Sequence, residues 1–186
     1  MQFLEELKNY IPTNEQEMRD RQQMLRFAAQ YGDCLCRENE FGHFTASVWT
    51  VNPARSKTIM VYHKLYDSWS WVGGHADGEE DLRAVALREL KEETGVKAPR
   101  LLGEGVFSLE TLSVRGHMKH GLWVPGHLHF NLTYLVEVRE DETLRVREEE
   151  NSAVRWWNFD EALRHSTEPW MVENIYKKLI AGCKTR

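Results

Sequence analysis

Residues 73–96 read GGHADGEEDLRAVALRELKEETGV: two glycines, an acidic turn, and a helix-length stretch closed by another glycine. Turning about 100° per residue from Leu82, Val85 and Ala86 fall within about 60° and Leu90 within about 80°, so these four define a stripe for burial. On the same wheel Glu89 and Glu93 lie about 20° from Leu82, and Glu92 about 80° away. Three carboxylates therefore continue the apolar stripe, and a helix that buries Leu82 and Val85 aims Glu89 and Glu93 the same way. Like charges at i,i+3 and i,i+4 repel, anions near a helix C-terminus oppose its dipole, and partly buried carboxylates without partners cost more again. Something positive must sit against them. Arg88 is one candidate, but a single guanidinium cannot neutralise three acids. A hard divalent cation can, and all-oxygen ligands suit Mg2+ or Mn2+. The glycine pair lets backbone approach a metal or phosphate closely. Asp77 with Glu80 offers a capping box for a helix from about Gly78 to Thr94, which Gly95 closes.

On the N-terminal side, Phe3, Leu4, Leu7, Tyr10 and Ile11 have helical spacing, and Pro12 stops that helix. Thr13, with Gln16 reaching back, is the expected cap of a second helix running to Gly32. Phe44–Val51 and Thr58–His63 read as strands joined through Asn52-Pro53, which predicts a hairpin. Trp69–Val72 is a short extended piece. On the C-terminal side, Leu101–Val114 reads as a strand with a bend, followed by a loop to Gly126 long enough to be functional. His127–Val138 alternates: Phe130, Leu132, Tyr134, Val136 and Val138 on one face, and His127, His129, Asn131 and Thr133 on the other. A strand near Val154–Trp157, a short helix from Asp160, and a last helix started by Thr167 and Pro169 complete the chain.

The 186 residues suffice for one core rather than two, and 11% aromatic residues argue against a disordered polymer. No run approaches the roughly 18 apolar residues of a membrane span, and the N-terminus lacks the pattern of a secretory signal, so no membrane partner is expected. Cys34, Cys36 and Cys183 form neither an even disulfide framework nor a CxxC half-site, which points to a reducing cytoplasm. A net charge of -5 has the wrong sign for nonspecific adhesion to a nucleic-acid polymer and favours small ligands or cations.

Gly74, five residues, Glu80, seven residues, then Arg88-Glu89-Leu90-Lys91-Glu92-Glu93-Thr94-Gly95-Val96 match every fixed position of the Nudix box, G-x5-E-x7-R-E-U-x-E-E-x-G-U with U aliphatic. With average residue usage the chance of this is on the order of 10⁻⁹ per starting point. The chain thus resembles the Nudix hydrolases. The resemblance implies an α/β fold, an α/β/α sandwich around a mixed sheet, over residues 41–186, with residues 1–40 as an N-terminal helical arm outside it. It also implies metal-dependent hydrolysis of the diphosphate linkage of a nucleoside diphosphate derivative or nucleoside triphosphate. Residue by residue, Glu92 and Glu93 correspond to the principal Mg2+ or Mn2+ ligands. Glu89 corresponds to a further ligand or the residue that helps deprotonate the attacking water, and Arg88 to the residue that orients that glutamate. Glu80 is a supporting acid, Gly74 and Gly95 are box glycines, and the Gly73 carbonyl joins the metal shell. Val72 and Asp77 stand where Pro and Glu are frequent, neither being a fixed position.

Family members often take a further ligand from an acidic loop before a late Trp-containing strand. Here EEENSAVRWW offers Glu149 or Glu150, of which Glu150 is preferred; a solvated acidic loop is the competing reading. His127 and His129 share a strand face and His75 adjoins the glycines, so all three are candidate substrate contacts, against the alternative of polar residues on an exposed sheet face. Trp69, Trp71 and Trp123 could stack on a base or fill the core. Thr111-Leu112 and Ser113-Val114 depart from the family's ADP-ribose and dinucleoside polyphosphate patterns, and the NADH and coenzyme A motifs are absent, so no subfamily is assigned. Two other classes resemble the same box: a non-hydrolytic ligand-sensing protein, which typically loses box acids, and a diphosphate isomerase, which uses a Cys and a metal-binding His near the site. The apolar stripes of the arm call for burial, over the site or in a homodimer.

Overall fold

The computed structural model describes residues 2–119 and 121–185. Two helices come first, α1 (Gln2–Asn9) and α2 (Glu15–Gln30). The cap of α2 is Asn14 rather than Thr13: Asn14 accepts the Glu17 N–H at 2.9 Å, while the Thr13 N–H and hydroxyl both donate to the Glu17 carboxylate at 2.8 Å. Asn14 caps the helix through its side-chain oxygen, and Glu17 reaches back past it to Thr13, so the two caps are shared between neighbouring residues rather than closed as a reciprocal box on Thr13 and Gln16. Then follow β1 (Gly42–Val51), β2 (Lys57–His63), β3 (Ser68–Ser70), β4 (Val72–His75), α3 (Leu82–Thr94), β5 (Arg100–Leu101), β6 (Ser108–Val114), β7 (His117–Lys119), β8 (Leu122–Val124), β9 (His127–Glu137), β10 (Asn151–Asn158) and α4 (Phe159–His165). The C-terminal helix runs as α5 (Pro169–Met171), a π-helical turn over Val172–Tyr176, and α6 (Lys177–Thr185). The stretch expected as one bent strand is two strands, β5 and β6, and the long loop after it contains the β7–β8 ribbon.

β1 and β9 run parallel from Gly42 opposite Leu128 to Val51 opposite Glu137, β4 pairs antiparallel with β1, and β6 and β5 pair antiparallel with successive parts of β9. The main sheet is therefore mixed. The expected hairpin of β1 with β2 does not form, because β2 belongs to a second, antiparallel sheet of order β10-β2-β3. Both edges of β1 are occupied, by β4 and β9, so β2 has no edge to join. Asn52 builds the crossover instead: its side-chain oxygen accepts the Ser56 and Lys57 N–H groups at 2.8 and 3.0 Å, and its amide donates to Glu140 at 2.8 Å.

Alternation on β1 and β9 sends side chains into two cores. Phe44, Ala46, Val48, Phe130, Leu132 and Tyr134 pack in one cluster with Leu82, Val85, Ala86 and Leu90 of α3. Phe3, Leu7, Tyr10 and Met24 of the N-terminal segment belong to that same cluster, with the Phe3 and Phe44 rings 4.8 Å apart. Trp49, Val51 and Leu135 point the other way, onto Ile175, Tyr176 and Leu179 of the C-terminal helix. Helices thus cover both faces of a mixed sheet.

A buried polar network ties these layers together. Thr45 and Ser47 donate to the Asn131 carbonyl oxygen, and the Asn131 amide and Thr133 hydroxyl donate to Glu110. Lys178 of α6 then sits 3.2 Å from Glu110 and 3.1 Å from Glu17, which also accepts hydrogen bonds from Ser108 and Thr13. Glu17 and Glu110 are fully buried. Burial alone would raise the Glu17 pKa, but the Lys178 ammonium and hydrogen bonds from Thr13 and Tyr10 hold it down at about 2.

Lys178→Met leaves two buried carboxylates without their cation and should cost about 3–5 kcal/mol in urea unfolding at pH 7. A group with a depressed folded pKa stabilises above its unfolded pKa and loses that contribution as pH falls through the folded one. Between the ordinary value of 4.5 and about 2, Glu17 accounts for about 3 kcal/mol. The wild-type protein should lose this increment over that window and Lys178→Met should not. Parallel acid limbs for the two proteins would contradict the assignment.

Candidate active site

Asp77 and Gly78 both take left-handed backbone, at φ 49° and 87°, so the chain is still turning where the sequence suggested a helix start. Helix α3 begins at Leu82, capped by Asp81, whose carboxylate accepts the Ala84 N–H at 3.0 Å. The expected Asp77–Glu80 capping box is therefore absent. Asp77 instead takes a two-pronged ion pair from Arg37, with Nε 2.5 Å from Oδ1, and Glu80 lies exposed in the turn, away from the cleft lining. At the other end Gly95 adopts φ 72° and returns its N–H to the Lys91 carbonyl at 2.9 Å.

Between these caps α3 carries its carboxylates inward as the wheel requires. Glu93 is 3% exposed, the Glu89 side chain is 15% exposed, and Glu92 lies on the cleft rim. Desolvation pushes the Glu93 pKa up to about 8, aided by Glu89 and Glu150, while hydrogen bonds from Asn151 (2.7 Å) and the Gly73 backbone act against it. Desolvation, then Glu92, also raises Glu89. Gly74 on β4 faces Glu89 so closely that an added Cβ would stand 2.5 Å from its carboxyl carbon, and a Cβ on Gly73 would stand 2.7 Å from the Ala46 carbonyl. Backbone therefore excludes a side chain at Gly73, whereas at Gly74 the obstacle is the Glu89 carboxylate itself.

The loop before β10 closes the cluster. Glu150 is half-exposed, raises both Glu89 and Glu93 electrostatically, and lines the cleft with Glu149, which is more exposed. Arg147, which the sequence reading passed over, is the main cation here: it donates to Glu92 at 3.1 Å and stands 3.9 Å from Glu89 and Glu150. Arg88 approaches Glu89 only to 3.9 Å, an ion-pair distance beyond a hydrogen bond. Among the described residues no basic side chain pairs with Glu93. A divalent cation fits this all-oxygen set, because the excess of carboxylate over guanidinium is concentrated on its most buried members.

The carboxylates form one end of a cleft of about 1390 Å³ that continues past Gly73 and Gly74 to His75, His127 and His129. The structure thus brings these three histidines together on the cleft wall. His43, which the sequence reading left outside its first strand, joins them opposite His129 in the β1–β9 register. The alternation of Gly42, Phe44, Ala46 and Val48 against His43, Thr45 and Ser47 was the signal for it. Burial, followed by repulsion from neighbouring positive charge, lowers His75 to about 3 and His129 to about 2, and burial also lowers His43. The tryptophans separate cleanly. Trp69 and Trp71 pack edge-on against Trp157 and Tyr176 beside the second core, whereas Trp123 is 65% exposed on the β7–β8 ribbon and lines the cleft.

A family model described as NUDIX domain matches residues 42–179. Nudix hydrolase 27, chloroplastic, of Arabidopsis thaliana is 43% identical over 56 residues, 29% of this chain. That match spans only 24% of the length of the curated relative. Among solved structures, a C. elegans Ap4A hydrolase binary complex superposes with a TM-score of 0.55 at 16% identity over 76% of this chain and 95% of that one. A NUDIX family hydrolase from Clostridium perfringens gives 0.54 at 20% identity over 77% and 97%. The E. coli dihydroneopterin triphosphate pyrophosphohydrolase gives 0.55 at 14% over 74% and 94%. At such identities these structures show a shared fold.

Gly74→Ala should displace Glu89, whose flexible end is what the new methyl meets, without unfolding the sheet. Mn2+ affinity, followed by electron paramagnetic resonance, should fall at least ten-fold while the thermal melt stays within a few degrees of wild type. Unchanged Mn2+ affinity would show that Glu89 and the glycine turn do not act together.

Proposed function

The chain belongs to the NUDIX domain family, and on that premise we propose that it is a divalent-metal-dependent hydrolase of the diphosphate linkage in a nucleoside diphosphate derivative or nucleoside triphosphate. The observation that carries this reading is the convergence of Glu89, Glu92 and Glu150 on one cleft, with the buried Glu93 coupled to Glu89 and Glu150 behind its wall, beside a glycine pair whose positions leave no free space for a Cβ. Glu92 and Glu93 would hold Mg2+ or Mn2+, with Glu89, Glu150 and the Gly73 carbonyl as further oxygen donors. When bound, such an ion supplies neutralisation of the diphosphate and Lewis acidity. Glu89, with its pKa raised by desolvation and by Glu92, is a stronger base than a free glutamate and is suited to take the proton of the attacking water. Arg88 and Arg147 stand 3.9 Å from its two oxygens and attract that carboxylate electrostatically. Glu80, Gly74 and Gly95 shape the loop and helix ends.

The substrate lies along the rest of the cleft, with the histidine wall on one side and Trp123 available to stack on a base. No fixed box acid is missing, which weighs against a purely ligand-sensing protein. No cysteine is among the residues lining the cleft, which weighs against an isomerase of the kind that uses one. Residues 41–186 carry the carboxylates and histidines of the site in this reading, residues 37–40 add to the lining of the cleft, and the helices of residues 1–40 complete the core beneath it. Three free cysteines fit a reducing cytoplasm, and no helix among the described residues is long and apolar enough to cross a membrane.

Glu93→Gln keeps the side-chain volume and removes the most buried charge. It should lower Mg2+-dependent release of phosphate or pyrophosphate, screened over nucleoside diphosphate derivatives and triphosphates, by at least 10³-fold, about 4 kcal/mol in the barrier. The same variant should melt higher than wild type in the presence of chelator at neutral pH, because wild type must either bury a charge at Glu93 or protonate a group whose ordinary pKa is 4.5, and glutamine requires neither. Full activity of the variant at saturating Mg2+ would overturn the ligand assignment, and no activity of wild type on any member of the panel would overturn the hydrolase reading.

A further inference from the structure

Strands β4, β1 and β9 are neighbours and send histidines to the cleft: His75 from β4, His43 from β1, and His127 and His129 from β9. One ring nitrogen from each lies within 4.8 Å of the other two. The hydrogen-bond network assigns two of the tautomers. His43 Nδ1 faces the Asn39 carbonyl at 3.4 Å, and a carbonyl only accepts, so Nδ1 carries the proton and Nε2 the lone pair. His43 is 3% exposed, and its Nε2 has no hydrogen-bond partner among the described residues. His127 Nδ1 likewise faces the Pro125 carbonyl at 2.9 Å, which makes its Nε2 an acceptor for the His129 Nε2–H at 3.1 Å and leaves the lone pair of His129 on Nδ1.

We propose that His43, His75 and His129 form a second metal site, a three-imidazole site for a Zn2+-class transition metal, distinct in chemistry from the carboxylate cluster. Imidazole nitrogens select Zn2+, Co2+, Ni2+ or Cu2+ over Mg2+, whereas the glutamates at the other end of the cleft prefer hard ions. Around a tetrahedral ion at 2.0–2.1 Å, ligand nitrogens stand about 3.4 Å apart, so the rings close by at most about 1.4 Å. The supporting contacts are those of metal-binding histidines: the Asn39 carbonyl orients His43, and His127, itself held by Pro125, orients His129. Three rigid strands carry the ligands, and the cleft supplies both an entry path and a fourth position open to water or to an anionic oxygen of a ligand. A lone pair buried without a partner is costly, and a borderline cation of the Zn2+ class satisfies it.

Full-length protein stripped of metal by chelator and titrated with Co2+ should show one saturable d–d absorption band, displaced by one equivalent of Zn2+ and insensitive to millimolar Mg2+. His75→Gln and His129→Gln, both on partly exposed rings, should weaken Co2+ binding at least ten-fold with circular dichroism melts near wild type, and the buried His43→Gln should do the same if it folds. Glu92→Gln should leave the band in place. The proposal is overturned if no saturable band appears, if the histidine variants retain it, or if Mg2+ or Glu92→Gln removes it, since the ion would then lie on the carboxylates.

Discussion

The rotation of α3 about its axis governs the rest of the structure. Leu82, Val85, Ala86 and Leu90 dock on the apolar face of β1 and β9, and once they are seated Glu93 is buried and Glu89 meets solvent only through the cleft. The hydrophobic gain of that docking, roughly 1.5–3 kcal/mol for each large side chain, is what forces charge into a place where charge is unfavourable. The neighbouring elements respond to that charge. Gly73 and Gly74 give up side chains to make room, Asn151 donates to Glu93, and Arg147 reaches across from the loop before β10 to Glu92 and Glu89. What remains uncompensated is centred on Glu93, and a divalent cation is the chemical complement to it.

The face of β1 and β9 opposite α3 has two fates along its length. Toward the cleft it ends in His43, His127 and His129, while under the C-terminal helix it becomes Trp49 and Leu135. Between them Thr45, Ser47, Asn131 and Thr133 hand hydrogen bonds to Glu110, and Lys178 connects that carboxylate to Glu17. The polar residues needed at the cleft are thus continuous with a satisfied network in the core. The N-terminal helices, through Glu17, are electrically part of the sheet that builds the site.

The helix of the box was legible because its information is local: the apolar period, the acids that share it, and Gly95 just beyond its end. The alternation of β9 was legible for the same reason. Features set by distant partners were not. The Asn52-Pro53 turn announces a reversal but not that β1 will have both edges filled, one of them by a strand about 80 residues on, so β2 goes to another sheet. Asp77 has the composition of a cap, yet Arg37, 40 residues earlier, claims it, and Asp81 caps instead. Arg147 hid within an acidic run that was weighed only for its acids. His43 fell one residue outside the predicted strand, although its alternation with Phe44 and Ala46 marked it as a neighbour of the other histidines.

The central claim, that the inward face of α3 exists to hold a divalent cation, is tested most directly by anomalous diffraction from crystals of the full chain grown with Mn2+. The account predicts a manganese peak bounded by carboxylate oxygens of Glu92 and Glu93, with Arg147 withdrawn from Glu92. Ordered density for these side chains with no peak among them, and with Arg147 still on Glu92, would contradict it.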